Sequence, residues 1–140
     1  VKQEFINYKK RFAGSDCELI KSFPDELEFT SSWYVRLRSG GFVDRHIHEV
    51  GWISGAVYLV LPKIKQDPLE GCFEYGLHGD NYPQKHDNFP VGIASPNVGD
   101  IVLFPSSLFH RTIPFNSNEE RICIAFDLKP QGDIFRRSNY

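Results

Sequence analysis

Two histidines one residue apart, in Arg45-His46-Ile47-His48, are the residues of this chain best suited to chemistry. Side chains at i and i+2 of an extended strand project from the same face, so His46 and His48 can grip one metal ion together. A third histidine, His110, closes the stretch Gly99-Asp100-Ile101-Val102-Leu103-Phe104-Pro105-Ser106-Ser107-Leu108-Phe109-His110. A strand from Gly99 ending at Phe104-Pro105, followed by a turn, would bring His110 back toward the same interior. Imidazole suits iron, zinc, copper or nickel. The spacing favours a three-histidine set, with Asp44 or Glu49 orienting the ligands from behind. Asp44 shares the face of the pair but lies too far along an unbent strand to join His48 on one ion, and Glu49 points to the other face. His78 and His86 fall in a stretch read as a solvated loop.

Arg121 opens the last apolar run, Arg121-Ile122-Cys123-Ile124-Ala125-Phe126. Strand alternation puts Arg121, Cys123 and Ala125 on one face and Ile122, Ile124 and Phe126 on the other. A planar guanidinium can hold a carboxylate through two hydrogen bonds. Aimed into a barrel mouth, Arg121 would receive an acidic co-substrate beside the metal; aimed outward, it would pair with Glu119 or Glu120. Tyr58, in Ser54-Gly55-Ala56-Val57-Tyr58-Leu59, either shares that carboxylate through its hydroxyl or is a core aromatic with one hydrogen bond.

These residues need strands to position them. Residues 1–12 carry Phe5, Tyr8 and Phe12 near helical spacing and predict one short helix, broken at Gly14-Ser15-Asp16. Pro24-Asp25-Glu26 reads as a turn or a helix start. From Phe29 onward the pattern is β: Ser32–Arg38 alternates, Phe42–His48 and Ile53–Leu61 follow, and Gly71–Leu77 alternates again. Residues 78–98, with their Pro, Asn and Asp, predict a long loop. Asp100–Phe104 and Arg121–Leu128 are the remaining strands. Short strands punctuated by Gly and Pro, with little helix, predict an all-β sandwich or jelly roll.

The 140 residues suffice for one domain with its own core, and 12 Phe argue for a packed interior. A net charge of −2 offers nothing to a nucleic acid. Cys17, Cys72 and Cys123 are odd in number and far apart, which predicts reduced thiols rather than a disulfide framework. No apolar run reaches the length of a membrane span and no signal peptide is visible, so a cytoplasmic location with no membrane partner is expected. The chain starts at Val1 and has no Met, which predicts that it is a piece of a longer protein.

The motifs together resemble the Fe(II)/2-oxoglutarate-dependent oxygenase superfamily, in a small bacterial and phage branch. They are His46-Ile47-His48, Ser54-Gly55-Ala56-Val57-Tyr58-Leu59, Gly99 through His110, and Glu120 through Phe126. The resemblance covers about residues 30–130 and implies a double-stranded β-helix, a cupin-like jelly roll. It implies Fe(II) held by His46, His48 and His110, and 2-oxoglutarate held at its far carboxylate by Arg121 with help from Tyr58. It also places Arg36 near the metal-proximal end of the co-substrate. The implied activity is hydroxylation of a small molecule or peptide, coupled to oxidative decarboxylation of 2-oxoglutarate. Trp33, Trp52 and the loops 63–69 and 78–95 are expected at the substrate mouth. His48 stands where the commoner motif has a carboxylate, and Cys123 where many relatives have Ser. One rival reading is a cupin, since Gly40 and five residues precede His46-x-His48; the glutamate expected after His48 is missing, with Trp52 and Ile53 in its place. The other rival is a catalytically silent β-helix that binds a ligand or partner.

Overall fold

The computed structural model describes residues 1–63, 65–79 and 81–132. Helix α1 (Lys2–Phe12) is followed by a single helical turn, α2 (Glu18–Lys21). Eight strands follow among the described residues: β1 (Leu27–Leu37), β2 (Val43–His46), β3 (Ile53–Val60), β4 (Phe73–Gly76), β5 (Val91–Ala94), β6 (Ile101–Pro105), β7 (Phe109–Thr112) and β8 (Arg121–Pro130). They form two four-stranded sheets, ordered β1-β8-β3-β6 and β2-β7-β4-β5, with antiparallel pairing throughout. The chain passes from one sheet to the other at almost every connection. That winding is the jelly roll, or double-stranded β-helix.

The long strands are those whose sequence alternates most clearly. β8 lies between β1 and β3, paired to both, and its register sets Trp33 opposite Ala125 and Tyr58 opposite Cys123. Central position explains its burial, while β1 is an edge strand and mostly exposed. Gly55, in β3, packs so closely between β6 and β8 that an added Cβ would lie 2.6 Å from the Phe126 ring and 2.7 Å from the Val102 carbonyl. Outside the barrel, Phe5 of α1 stacks on Phe23 with centroids 4.8 Å apart. These rings bury against Ile53, with Trp52, Tyr8 and Leu27 around them.

Two strands lie outside the spans that alternation marks, one of them inside the expected loop 78–98. Val91–Ala94 is β5, paired to β4 at the sheet edge, and Phe109–Thr112 is β7, the strand that carries His110. Each has only four residues, too few for a period to show, and each is held by pairing with a distant partner. Pro24-Asp25-Glu26 starts no helix; β1 begins directly after it, at Leu27.

Candidate metal centre

His46 ends β2 and pairs directly across from His110 on β7. His48 lies two residues past His46, where its backbone N–H donates to the Ser106 carbonyl at 2.9 Å. The three rings converge: His46 and His110 centroids are 4.3 Å apart, and His48 is 5.0 Å from each. One nitrogen from each ring can be chosen so that all three lie within 4.8 Å of one another.

Each ring is fixed from behind through Nδ1. His46 donates to the Asp44 carbonyl at 2.6 Å, His110 to the Leu108 carbonyl at 2.9 Å, and His48 to the Asp127 carboxylate at 2.5 Å. With Nδ1 carrying the proton, each Nε2 presents a lone pair. Yet the Nε2 atoms of His46 and His48 are 3.0 Å apart. Two lone pairs at that distance repel unless a shared proton or a metal cation lies between them. Two nitrogens each roughly 2.1 Å from one ion, at right angles, stand roughly 3.0 Å apart. The donor set therefore fits a divalent transition metal. His110, wedged against Phe73 and Phe104, is 7% exposed. Burial, aided by His46 and His48 and opposed by the Leu108 hydrogen bond, pushes its pKa down to about 4, so it is neutral and able to ligate at pH 7.

Behind His48 sits a buried polar cluster. Ser54 donates to Asp127 Oδ1 at 2.6 Å and lies 2.8 Å from Ser106 Oγ, while Ser31 reaches the other carboxylate oxygen at 3.4 Å. Asp127 is 7% exposed.

From the triad a cavity of about 80 Å³ runs between the sheets, lined among others by Val35, Tyr58, Cys123 and Arg121. Arg121 is 2% exposed. Its Nε donates to the Gly71 carbonyl at 3.0 Å, Nη1 approaches Cys123 Sγ at 3.8 Å, and its guanidinium carbon lies 5.0 Å from the Tyr58 ring centre. No carboxylate pairs with it among the described residues; Glu120 pairs instead with Arg36 and Arg38. Tyr58, 1% exposed, has its pKa pushed up to about 12, chiefly by burial, and stays a protonated donor.

The structure thus brings together His46, His48, His110, Arg121 and Tyr58 on one cavity. It does not bring Arg36 there: that side chain projects from the other face of β1, into an exposed ion pair with Glu120 at 2.5 Å. Trp33 lines the cavity, but Trp52 packs in the cluster beneath α1. The described residues of 63–69 and 78–95 contribute nothing to the lining. His78 is half-buried against Phe89 and Phe109, and His86 stacks on Phe89, both away from the triad. The carboxylate in contact with the triad is neither Asp44, which offers its backbone carbonyl, nor exposed Glu49, but Asp127. Strand parity held the signal: Asp127 continues the row Arg121, Cys123, Ala125.

A histidine triad and a buried arginine on one cavity of a jelly roll define the class: a double-stranded β-helix with a candidate metal centre. Residues 31–127 match the family described as "putative 2OG-Fe(II) oxygenase", and the chain belongs to that family. No functionally curated protein matches the chain in sequence. Among solved structures, a 2OG-Fe(II) oxygenase family oxidoreductase from Burkholderia pseudomallei aligns with TM-score 0.57 at 15% identity, over 79% of this chain and 48% of its own. HygX from Streptomyces hygroscopicus aligns with TM-score 0.56 at 17% identity, over 87% of this chain and 66% of its own. HygX has also been crystallised with iron, with nickel and 2-oxoglutarate, and with both of the latter plus hygromycin B. A Pseudomonas putida prolyl-4-hydroxylase aligns with TM-score 0.50 at 18% identity, over 81% of this chain and 56% of its own. At these identities the likeness is one of fold. The chain spans about half to two thirds of the length of these proteins. No helix among the described residues is long and apolar enough to cross a membrane.

Proposed function

We propose that this chain is the catalytic domain of an Fe(II)- and 2-oxoglutarate-dependent oxygenase that hydroxylates a small molecule or peptide in the cytoplasm. The observation that carries the reading is Arg121. A guanidinium that is 2% exposed and lacks a carboxylate partner among the described residues is costly in a protein interior. It shares its cavity with the metal-binding triad. A ligand with an acid at each end answers both: one end at the metal, the other on Arg121. A metal-binding barrel that took no such ligand would leave Arg121 uncompensated.

Bound iron and 2-oxoglutarate supply the activation of oxygen and the decarboxylation that drives hydroxylation. The chain supplies geometry and exclusion of water. His46, His48 and His110 would hold the metal. Arg121 receives the far carboxylate, and Tyr58, held protonated, offers a hydroxyl beside it. Val35, Cys123 and Ala125 keep the intervening wall largely apolar. On the opposite side of the triad an open cleft lined by Thr30, Ser31, Trp33 and Glu49 is where the substrate would reach the metal. The free thiols of Cys17, Cys72 and Cys123 fit a reducing compartment.

An anaerobic thermal-shift titration tests the reading. With Mn(II) present, 2-oxoglutarate at one hundred times its Kd should stabilise the protein by about 2.7 kcal/mol. In Fe(II) and air, succinate should form. No shift and no succinate would reject the assignment.

A further inference from the structure

The cluster behind His48 contains a buried carboxylate that ligand geometry alone does not require. Asp127 is a buried carboxylate, 7% exposed, and no Lys or Arg pairs with it among the described residues. Its contacts are the His48 Nδ1–H at 2.5 Å, the Ser54 hydroxyl at 2.6 Å and the Ser31 hydroxyl at 3.4 Å. Ser54, 0% exposed, is itself held by Ser106, 1% exposed, at 2.8 Å. Because Ser54 donates to Asp127, Ser106 is the donor to Ser54. The hydroxyls form a relay that points donors at one carboxylate. Among the described residues, the other two histidines are backed by the neutral carbonyls of Asp44 and Leu108.

Three neutral imidazoles leave the full double charge of a divalent ion uncompensated. We propose that Asp127 is the positioning residue that supplies the negative charge this centre lacks among its ligands, acting through the His48 ring. A carboxylate on Nδ1–H pulls that proton toward itself and makes Nε2 a stronger donor than a carbonyl would. It also locks the tautomer and the ring plane. His48 is thereby distinguished from His46 and His110, and the buried charge of Asp127 finds its counterpart one ring away. The proposal rests on the triad binding a metal, and not on turnover of 2-oxoglutarate.

Co(II) titration without oxygen or 2-oxoglutarate, followed by visible absorbance, tests it. Asp127→Asn keeps the shape and an oxygen acceptor but removes the charge; its Co(II) affinity should fall 10- to 100-fold, a loss usual for partners that orient ligands. The cobalt absorption bands should shift with it. Ser54→Ala, which loosens the carboxylate without neutralising it, should cause a smaller loss. The proton spectrum of the Zn(II)-loaded parent adds a readout that needs no variant. One histidine Nδ1–H resonance should lie well downfield of the other two, because its acceptor is a carboxylate. Three similar resonances in the parent, or a folded Asp127→Asn that binds Co(II) as tightly as the parent, would overturn the proposal and leave the oxygenase reading standing. A parent that binds no Co(II) would overturn both.

Discussion

At the scale of single residues, the site is organised by polar groups whose counterparts are missing among the described residues. Arg121 is a cation without a carboxylate among the described residues, and three imidazoles offer lone pairs that a proton on each Nδ1 leaves facing inward. Arg121→Ala should raise the Kd of 2-oxoglutarate at least tenfold, since a charge-assisted bidentate contact in a buried site contributes about 1.5–3 kcal/mol. Metal affinity should be almost unchanged, because Arg121 is no ligand. Calorimetry on the Mn(II) form reads both, and equal 2-oxoglutarate affinity in parent and variant would contradict the assigned role. Tyr58→Phe removes one hydroxyl from a side chain that is 1% exposed and leaves its ring packed on Arg121. A neutral hydrogen bond contributes about 0.5–1.5 kcal/mol, so the co-substrate should bind a few-fold more weakly, well short of the Arg121 effect. A Tyr58→Phe loss as large as that of Arg121→Ala would assign the anchoring to the phenol instead.

At the scale of elements, the site depends on three short strands of the second sheet keeping register. β2, β7 and β4 meet at Glu74, a carboxylate 7% exposed that accepts from Arg111 at 2.7 and 2.9 Å and pairs with Arg45. The Arg111 hydrogen bonds, and then Arg45, hold its carboxyl below the usual range against the opposing effect of burial. Arg45 and Arg111 precede and follow His46 and His110 by one residue, so alternation turns them to the opposite face from those histidines. The ion cluster clamps the outside of the sheet while the histidines meet inside. Glu74→Gln should lower stability by about 1–3 kcal/mol, less than for a wholly buried pair because both arginines are partly exposed. Urea unfolding measures that loss, and Co(II) affinity should fall with it as the strands lose alignment. An unchanged urea midpoint would show that the clamp contributes nothing.

At the scale of the whole molecule, folding takes the charged form of His110 out of water. Its pKa is about 4 in the folded protein against an ordinary 6.5. Between these values the unfolded chain binds more protons than the folded one, so stability of the metal-free protein falls as pH drops from 6.5 to about 4. Above 6.5 His110 contributes no pH dependence. Glu74, held low by its arginines, adds a loss in the same direction at still lower pH. Urea midpoints at pH 7, 5.5 and 4.5 should decline in order, and His110→Gln should flatten the upper part of that decline. A parent whose midpoint is constant across this range would contradict the burial of His110.

Much of this was legible in the amino-acid sequence because it depends on local periods. Alternation in Ser32–Arg38 and Arg121–Ala125 marks β1 and β8 and sorts their faces; Val35, Arg121 and Cys123 do line the cavity. The i, i+2 spacing of His46 and His48 already puts both rings on one side. The four-residue strands β5 and β7 were not legible, because their backbone hydrogen bonds go to partners far along the chain and no local pattern reports them. Nor was the fate of Arg36, since an arginine on an edge strand reads the same whether its partner is a co-substrate or Glu120. Asp127 is the residue whose place the sequence conceals most. From sequence the nearest acids, Asp44 and Glu49, were the natural partners for the histidines. Only the closure of β8 against β1 and β3 sets a carboxylate 79 residues away behind His48. Residue type and spacing decide which groups can bind a metal; which acid backs them is decided by the pairing of distant strands, an interaction that exists only after the chain has folded.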